Sequence, residues 1–158
     1  MFNHFDEQGQ AIMVDVSGKT CTLRTATAQA RVLLKPATLA AILEGSVAKG
    51  DVLGVARLAG IAAAKKTPDL IPLSHPLAIH HAAIEFRHDP ATGELRIEAT
   101  VRAFERTGVE MEAMTAASVA ALTVYDMCKG SDKSIAIAEV VLMFKEGGKS
   151  GTYRRGES

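Results

Sequence analysis

A chain of 158 residues, with 47% hydrophobic and 23% charged residues, has the make-up of one globular domain over 1–158. It is long enough to bury roughly 68–70% of its unfolded surface. Its 18 basic residues balance 18 acidic ones, which argues against a general nucleic-acid or anionic-membrane binder and leaves basic groups to be judged where they gather. Tryptophan is absent and aromatics are 4%, so the core must come mainly from Ala, Val, Ile, Leu and Met. Cys21 and Cys128 lie far apart without C-x-x-C spacing, which points to free thiols in a reducing compartment. "MFNHFDEQGQ" has no apolar h-region, and no run approaches the ~18 apolar residues of a membrane span. A cytoplasmic protein is expected, with flexible ends at about 1–12 and 150–158.

Residues 22–34 alternate, with Ala26, Ala28, Ala30, Val32 and Leu34 on one face and Thr27, Gln29 and Arg31 on the other; this is a half-buried strand. "PATLAAILEG" predicts a short helix, with Pro36 near its start and Gly45 past its end. An Ala- and Gly-rich helix follows from about Asp51 to Lys65. "TPDLIPLSHPLAIHH" (67–81) holds prolines at 68, 72 and 76. They push Thr67, Ile71 and His75 away from helix and stiffen the connection. Strands are expected at 78–88 and 95–104, joined by "DPATGE". Residues 108–129 carry the longest helical pattern, "SIAIAEVVLMF" reads as a last strand, and the tail "KEGGKSGTYRRGES" is glycine-rich and basic. The order β-α-α-β-β-α-β predicts an α+β fold: a ferredoxin-like α/β sandwich, with helices on one face of a mainly antiparallel sheet.

On a wheel of the 108–129 helix, Glu112, Thr115, Ser118, Thr123, Asp126 and Lys129 share one polar arc of about 140°. Glu110 lies opposite, where Thr107 and Glu110 have the spacing of a capping box. Asp126 and Lys129 are spaced to pair. Glu112 and Asp126 are about 21 Å apart along the axis, too far for one small ligand to touch both within one chain. Different sites, or a second subunit completing each site, would answer this.

Lys49, Lys65, Lys66, Lys129, Lys133, Lys145 and Lys149 stand at structural punctuation. Lys49 precedes a helix start, where an intervening anion such as phosphate would relieve the clash with the dipole. "GGKSG" (147–151) is not a P-loop, because Met143 occupies the position of the required first glycine. His80 and His81 point to opposite faces of a strand, and no ligand spacing supports a metal at His75, His80 or His81. A carboxylate such as Glu112 accepts two parallel donors, the edge that a guanine or pterin ring offers.

Four segments, "MVDVSGK" (13–19), "KGDVLGVARLAGIAAAKKTPDLIPLSHPL" (49–77), "TGVEMEAMTAASVAALTVYDMCK" (107–129) and "GGKSG", together resemble the cyclic pyranopterin monophosphate synthases of molybdenum cofactor biosynthesis. The resemblance covers about residues 10–155. It implies a ferredoxin-like subunit in a homohexamer, a trimer of dimers, with sites at subunit interfaces. It also implies conversion of (8S)-3′,8-cyclo-7,8-dihydroguanosine 5′-triphosphate into cyclic pyranopterin monophosphate and diphosphate. By motif match, Leu73, Ser74, His75, Met111 and Glu112 fall on substrate-binding positions, Asp126 on the active-site aspartate, and Lys49 and Lys129 on functional lysines. Lys49, with Lys65 and Lys145, is expected to bind the triphosphate, and Lys129, beside Asp126, to act as general acid/base. Ser74 stands where relatives often carry cysteine, which keeps a polar contact and removes thiolate chemistry. No resident cofactor is implied, though Mg²⁺ could accompany the triphosphate. The alternative is a non-catalytic hexameric sensor of a phosphorylated purine or pterin, with a metal-dependent phosphohydrolase third.

Overall fold

The alternating run forms strand β1 (Thr22–Leu33), and Ala26, Ala28, Ala30 and Val32 along it are fully buried. The computed structural model describes residues 4–157; the expected flexible ends fall partly on residues 1–3 and 158, outside that range. After β1 come helix α1 (Pro36–Glu44), helix α2 (Val52–Lys65), a single turn α3 (Thr67–Leu70), strands β2 (His81–Asp89) and β3 (Glu94–Glu105), helix α4 (Glu110–Cys128), and strands β4 (Ala136–Glu146) and β5 (Tyr153–Arg154). The sheet order is β2-β3-β1-β4-β5. Every neighbouring pair is antiparallel, so β1 and β2 run parallel with β3 between them. This is the split βαβ of a ferredoxin-like α+β sandwich, as the sequence predicts.

Helix α4 lies across β1, β3 and β4, while α2 packs on β2 and on α4. The facing residues are small: Ala113, Ala116, Ala117, Ala120 and Ala121 of α4 meet a sheet face carrying Ala26, Ala28, Ala30, Ala99 and Ala103. Backbones therefore approach closely, and at the α2–α4 contact they need glycine. A Cβ on Gly60 would lie 3.0 Å from both the Ala116 carbonyl oxygen and Ile84 Cδ1. The opposite sheet face is polar. Thr27 and Thr100 join hydroxyls at 2.9 Å, and Arg31 bridges Glu94 at 3.1 Å and Glu139 at 3.5 Å, cross-strand pairs that hold register.

Four local expectations need correction. Strand β2 begins at His81, three residues later than expected, and the Ala78 N–H before it donates to the Glu105 carboxylate at 3.2 Å. Thr67 opens α3 instead of avoiding helix: Pro68 sits in the first turn, where a missing N–H costs nothing, and the buried Thr67 hydroxyl donates to the Ala64 carbonyl at 3.0 Å. Ile71 is extended, as expected. The capping box between Thr107 and Glu110 does not form; Val109 is the N-cap without a side-chain bond, because the Glu110 carboxylate turns to Lys145 of β4 at 3.5 Å. The last strand begins two residues late, at Ala136, because Asp132 holds Ser134 in a turn, accepting its N–H at 3.0 Å and its hydroxyl at 2.6 Å. Strand β5 was not foreseen; it pairs with Phe144 and Lys145, and the Arg154 guanidinium lies 4.5 Å above the Phe144 ring.

Candidate active site

Two adjoining cavities open where the helical layer stops covering the sheet. The first, of about 450 Å³, is walled by Leu73, Ser74 and His75 of the proline-stiffened segment, by Met111 and Glu112 of α4, and by Val14 and Lys19 of the N-terminal segment. The second, of about 720 Å³, gathers Lys19, Arg24, Arg106, Lys145 and Lys149. Lys19, Thr107, Gly108 and Glu110 line both, so the two form one continuous groove.

Prolines set the first wall. Between Pro72 and Pro76, the Ser74 N–H donates to the Ile71 carbonyl at 3.0 Å, closing a tight turn. His75 Nε2 donates to the Val14 carbonyl at 2.6 Å, which in a neutral ring leaves Nδ1 as an acceptor. Across from it, Glu112 sits in the first turn of α4 and is only 2% exposed. Its Oε1 has no hydrogen-bond partner among the described residues. Burial pushes its carboxyl up to about 7, outweighing the pull of its own backbone N–H, and neighbouring Glu110 pushes the same way.

The second wall was only partly foreseen. Lys145 and Lys149 are among the lysines at structural punctuation, whereas Lys19, Arg24 and Arg106 carry no site expectation from the sequence. For Arg24 the signal is parity; Arg106 follows the last residue of β3 and carries no such signal. Arg24 and Lys145 occupy core-facing positions, opposite Ala103 and Ala26 respectively, and a charge at a core position marks the point where the covering helix ends. Arg24 also shapes the groove, donating to the carbonyls of Glu105, Arg106 and Gly147, each at 3.3 Å. Its Nη1 would lie 1.9 Å from a Cβ on Gly148, a residue with φ of 74°. The glycine pair of "GGKSG" therefore serves close packing on Arg24, and leaves Lys149 in the cavity wall.

Asp126, Lys49 and Lys129 form a separate, exposed cluster at the other end of α4. Lys129 Nζ reaches Asp126 Oδ1 at 2.6 Å, and Lys49 Nζ reaches the Asp126 carbonyl at 2.9 Å and its Oδ2 at 3.4 Å. The hydrogen bonds from Lys129 and then Lys49 hold the Asp126 carboxyl below the usual carboxylate range, and Asp126 in turn raises Lys129. The clash foreseen between Lys49 and the α2 dipole is met by this carboxylate, while Asp51 caps α2 by accepting from the Gly54 N–H at 2.9 Å. Cys128 beside the cluster is buried, and burial, followed by Asp132, pushes its thiol up. Lys65, at the C-terminal end of α2, is exposed and lines neither cavity.

Among the described residues, no three of His, Cys, Asp and Glu gather at metal-holding range, and no helix is long and apolar enough to cross a membrane. A basic cavity joined to a ring-sized cavity with a buried carboxyl suits a phosphorylated heterocycle on a ferredoxin-like scaffold. Comparison with known proteins narrows the class. The profile of the MoaC family matches residues 13–148. The chain is 80% identical over 156 residues to the cyclic pyranopterin monophosphate synthase of Geotalea uraniireducens (strain Rf4), covering 99% of this chain and 98% of that one. It is 74% identical to the same-named protein of Geobacter metallireducens over 99% of this chain and 98% of that one, and 55% identical to that of Chloroflexus aggregans over 99% and 94%. The chain belongs to the MoaC family.

Proposed function

We propose that this chain is a lyase of molybdenum cofactor biosynthesis that turns (8S)-3′,8-cyclo-7,8-dihydroguanosine 5′-triphosphate into cyclic pyranopterin monophosphate and diphosphate. The observation that carries the reading is the continuous groove, in which the buried Glu112 carboxyl at one end and five cationic side chains at the other suit a guanine-type ring and a triphosphate. In this reading Glu112, with Leu73, Ser74, His75 and Met111, holds the ring. Lys19, Lys145, Lys149 and Arg106 hold the triphosphate, and cations there stabilise charge on the departing diphosphate. Lys65 has the least support as a triphosphate ligand, because it stands apart from the groove.

Asp126, Lys49 and Lys129 are assigned to the chemistry. Asp126 keeps Lys129 an ammonium, which suits it to donate a proton as the five-membered ring opens. In the closing step a sugar hydroxyl oxygen bonds to the α-phosphorus, the bond from that phosphorus to the bridging oxygen breaks, and diphosphate leaves. The hydroxyl proton passes to a base at the site. The reading needs no resident cofactor, and any Mg²⁺ would travel with the triphosphate.

The lysine cluster lies about 21 Å along α4 from Glu112, so a second copy has to bring its cluster to this groove. A homohexamer built as a trimer of dimers, with shared sites, is the assembly we assign. It is supported by apolar side chains on the outward faces of the two adjacent helices, Leu58 (70% exposed) on α2 and Leu122 (56%) on α4. A cytoplasmic location follows from the same biosynthetic reading. Diphosphate release by wild type, Lys49→Ala and Lys129→Ala tests the assignment: both variants should lose turnover, and full activity in both would overturn the roles given to the lysines.

A further inference from the structure

The cavity at the N-terminal end of α4 carries a second piece of chemistry, which rests on the reading that Glu112 receives the ring. Glu112 lines the cavity, is 2% exposed, and leaves Oε1 without a partner among the described residues. A lone carboxylate in such a place is disfavoured. The charged and titratable neighbours do not compensate it. On α4 itself, Glu110 is committed to Lys145 of β4. From the proline-stiffened segment, His75 is committed to the Val14 carbonyl. From the N-terminal segment come His4 and Lys19, neither of which makes a hydrogen bond or ion pair with Glu112. The first turn of α4 favours the ionised form modestly, and burial outweighs it.

A neutral carboxyl presents one donor and one acceptor, whereas a carboxylate presents acceptors only. A guanine-type edge presents two N–H donors and therefore matches the ionised form alone. We propose that Glu112 stands protonated in the empty site and releases that proton to solvent as a guanine-type edge docks, so that ring recognition and deprotonation are one coupled event. The O–H bond of the acid breaks, the proton goes to the buffer, and the carboxylate accepts the two N–H groups; no covalent bond to the ligand forms and no electrons are transferred. The same device sets selectivity. A ring with a carbonyl in place of the amine fits the neutral acid, so discrimination in favour of the amine sharpens as pH rises.

The test is calorimetric titration of the intact protein with GTP, which carries the same ring edge, in buffers of different ionisation enthalpy. Near pH 6, wild type should release about one proton more than Glu112→Gln, and near pH 8.5 the two should release equal numbers. Equal release at both pH values, with binding weakened in Glu112→Gln, overturns the coupling and leaves the ring assignment standing. Binding by Glu112→Gln as tight as wild type at pH 8.5 overturns the ring assignment itself. A second arm needs no ligand: the ¹³C carboxyl resonance of Glu112, identified by its loss in Glu112→Gln, should titrate near neutrality. Titration in the ordinary glutamate range overturns the proposal.

Discussion

The two ends of α4 hold acids of opposite character. At the N-terminal end Glu112 is enclosed, unpaired and pushed up to about 7. At the C-terminal end Asp126 is exposed, grasped by two lysines and pushed below its usual range. Burial without a partner favours the neutral acid, and exposure with partners makes a fixed negative charge that holds ammonium groups in place. Asp132, a few residues on, shows that burial alone does not decide the matter. It is fully buried, yet its carboxyl is lowered to about 2 because Ser134, Lys35 and Thr38 donate to it.

The largest expected effect lies at the exposed end. Lys129→Ala and Lys49→Ala should each lower kcat for diphosphate release ~10³-fold, with KM changed far less, as befits groups that act on the reaction more than on binding. Wild-type kcat in either variant would break the division of labour between the two ends. Next comes the buried, satisfied acid. Asp132→Ala strips acceptors from Lys35, Thr38 and Ser134 and should cost ~3 kcal/mol or more in urea unfolding. Because its folded pKa is depressed, its contribution is fully present above the ordinary aspartate range and disappears as pH falls through about 2.

Glu112→Gln should do the reverse and raise stability at pH 8 by ~3 kcal/mol. The folded protein keeps the Glu112 proton up to about 7 while the unfolded chain loses it near 4.5. Wild type therefore loses stability as pH rises between those values, and the advantage of the variant should vanish below them. A stability difference independent of pH would contradict the raised carboxyl. The smallest effect belongs to the basic part of the groove. Lys145→Ala removes both a cavity cation and the partner of Glu110, and should weaken GTP binding ~10-fold, with the loss shrinking at high salt.

What was legible in the sequence, and what was not, divides along physical lines. The alternation of β1 and the wheel of α4 were readable because each element has one buried face and repeats its pattern many times. The capping box failed because Lys145, thirty-five residues further on, competes for Glu110, and no local spacing records a partner brought by the sheet. Helix α3 was hidden because proline stiffens a chain equally well in a first helical turn and in an extended segment. Lys145 and Lys149 could be named from their places at structural punctuation, whereas Arg24 emerged only when the sheet register set a charged core-facing position at the limit of the helical layer, and Lys19 and Arg106 only when the cavity gathered them. The two-residue strand β5 had too short a pattern to read.

In the shared-site assembly, Glu112 and the Asp126–Lys129 cluster serve one reaction from different copies of the chain. Mixing Glu112→Ala subunits with Lys129→Ala subunits, each inactive alone, tests it most directly. Dissociated and reassembled together, they should regain about a quarter of wild-type diphosphate release, because a corresponding share of interfaces joins an intact Glu112 to an intact Lys129. Mixed assemblies that form yet stay inactive would contradict the shared site.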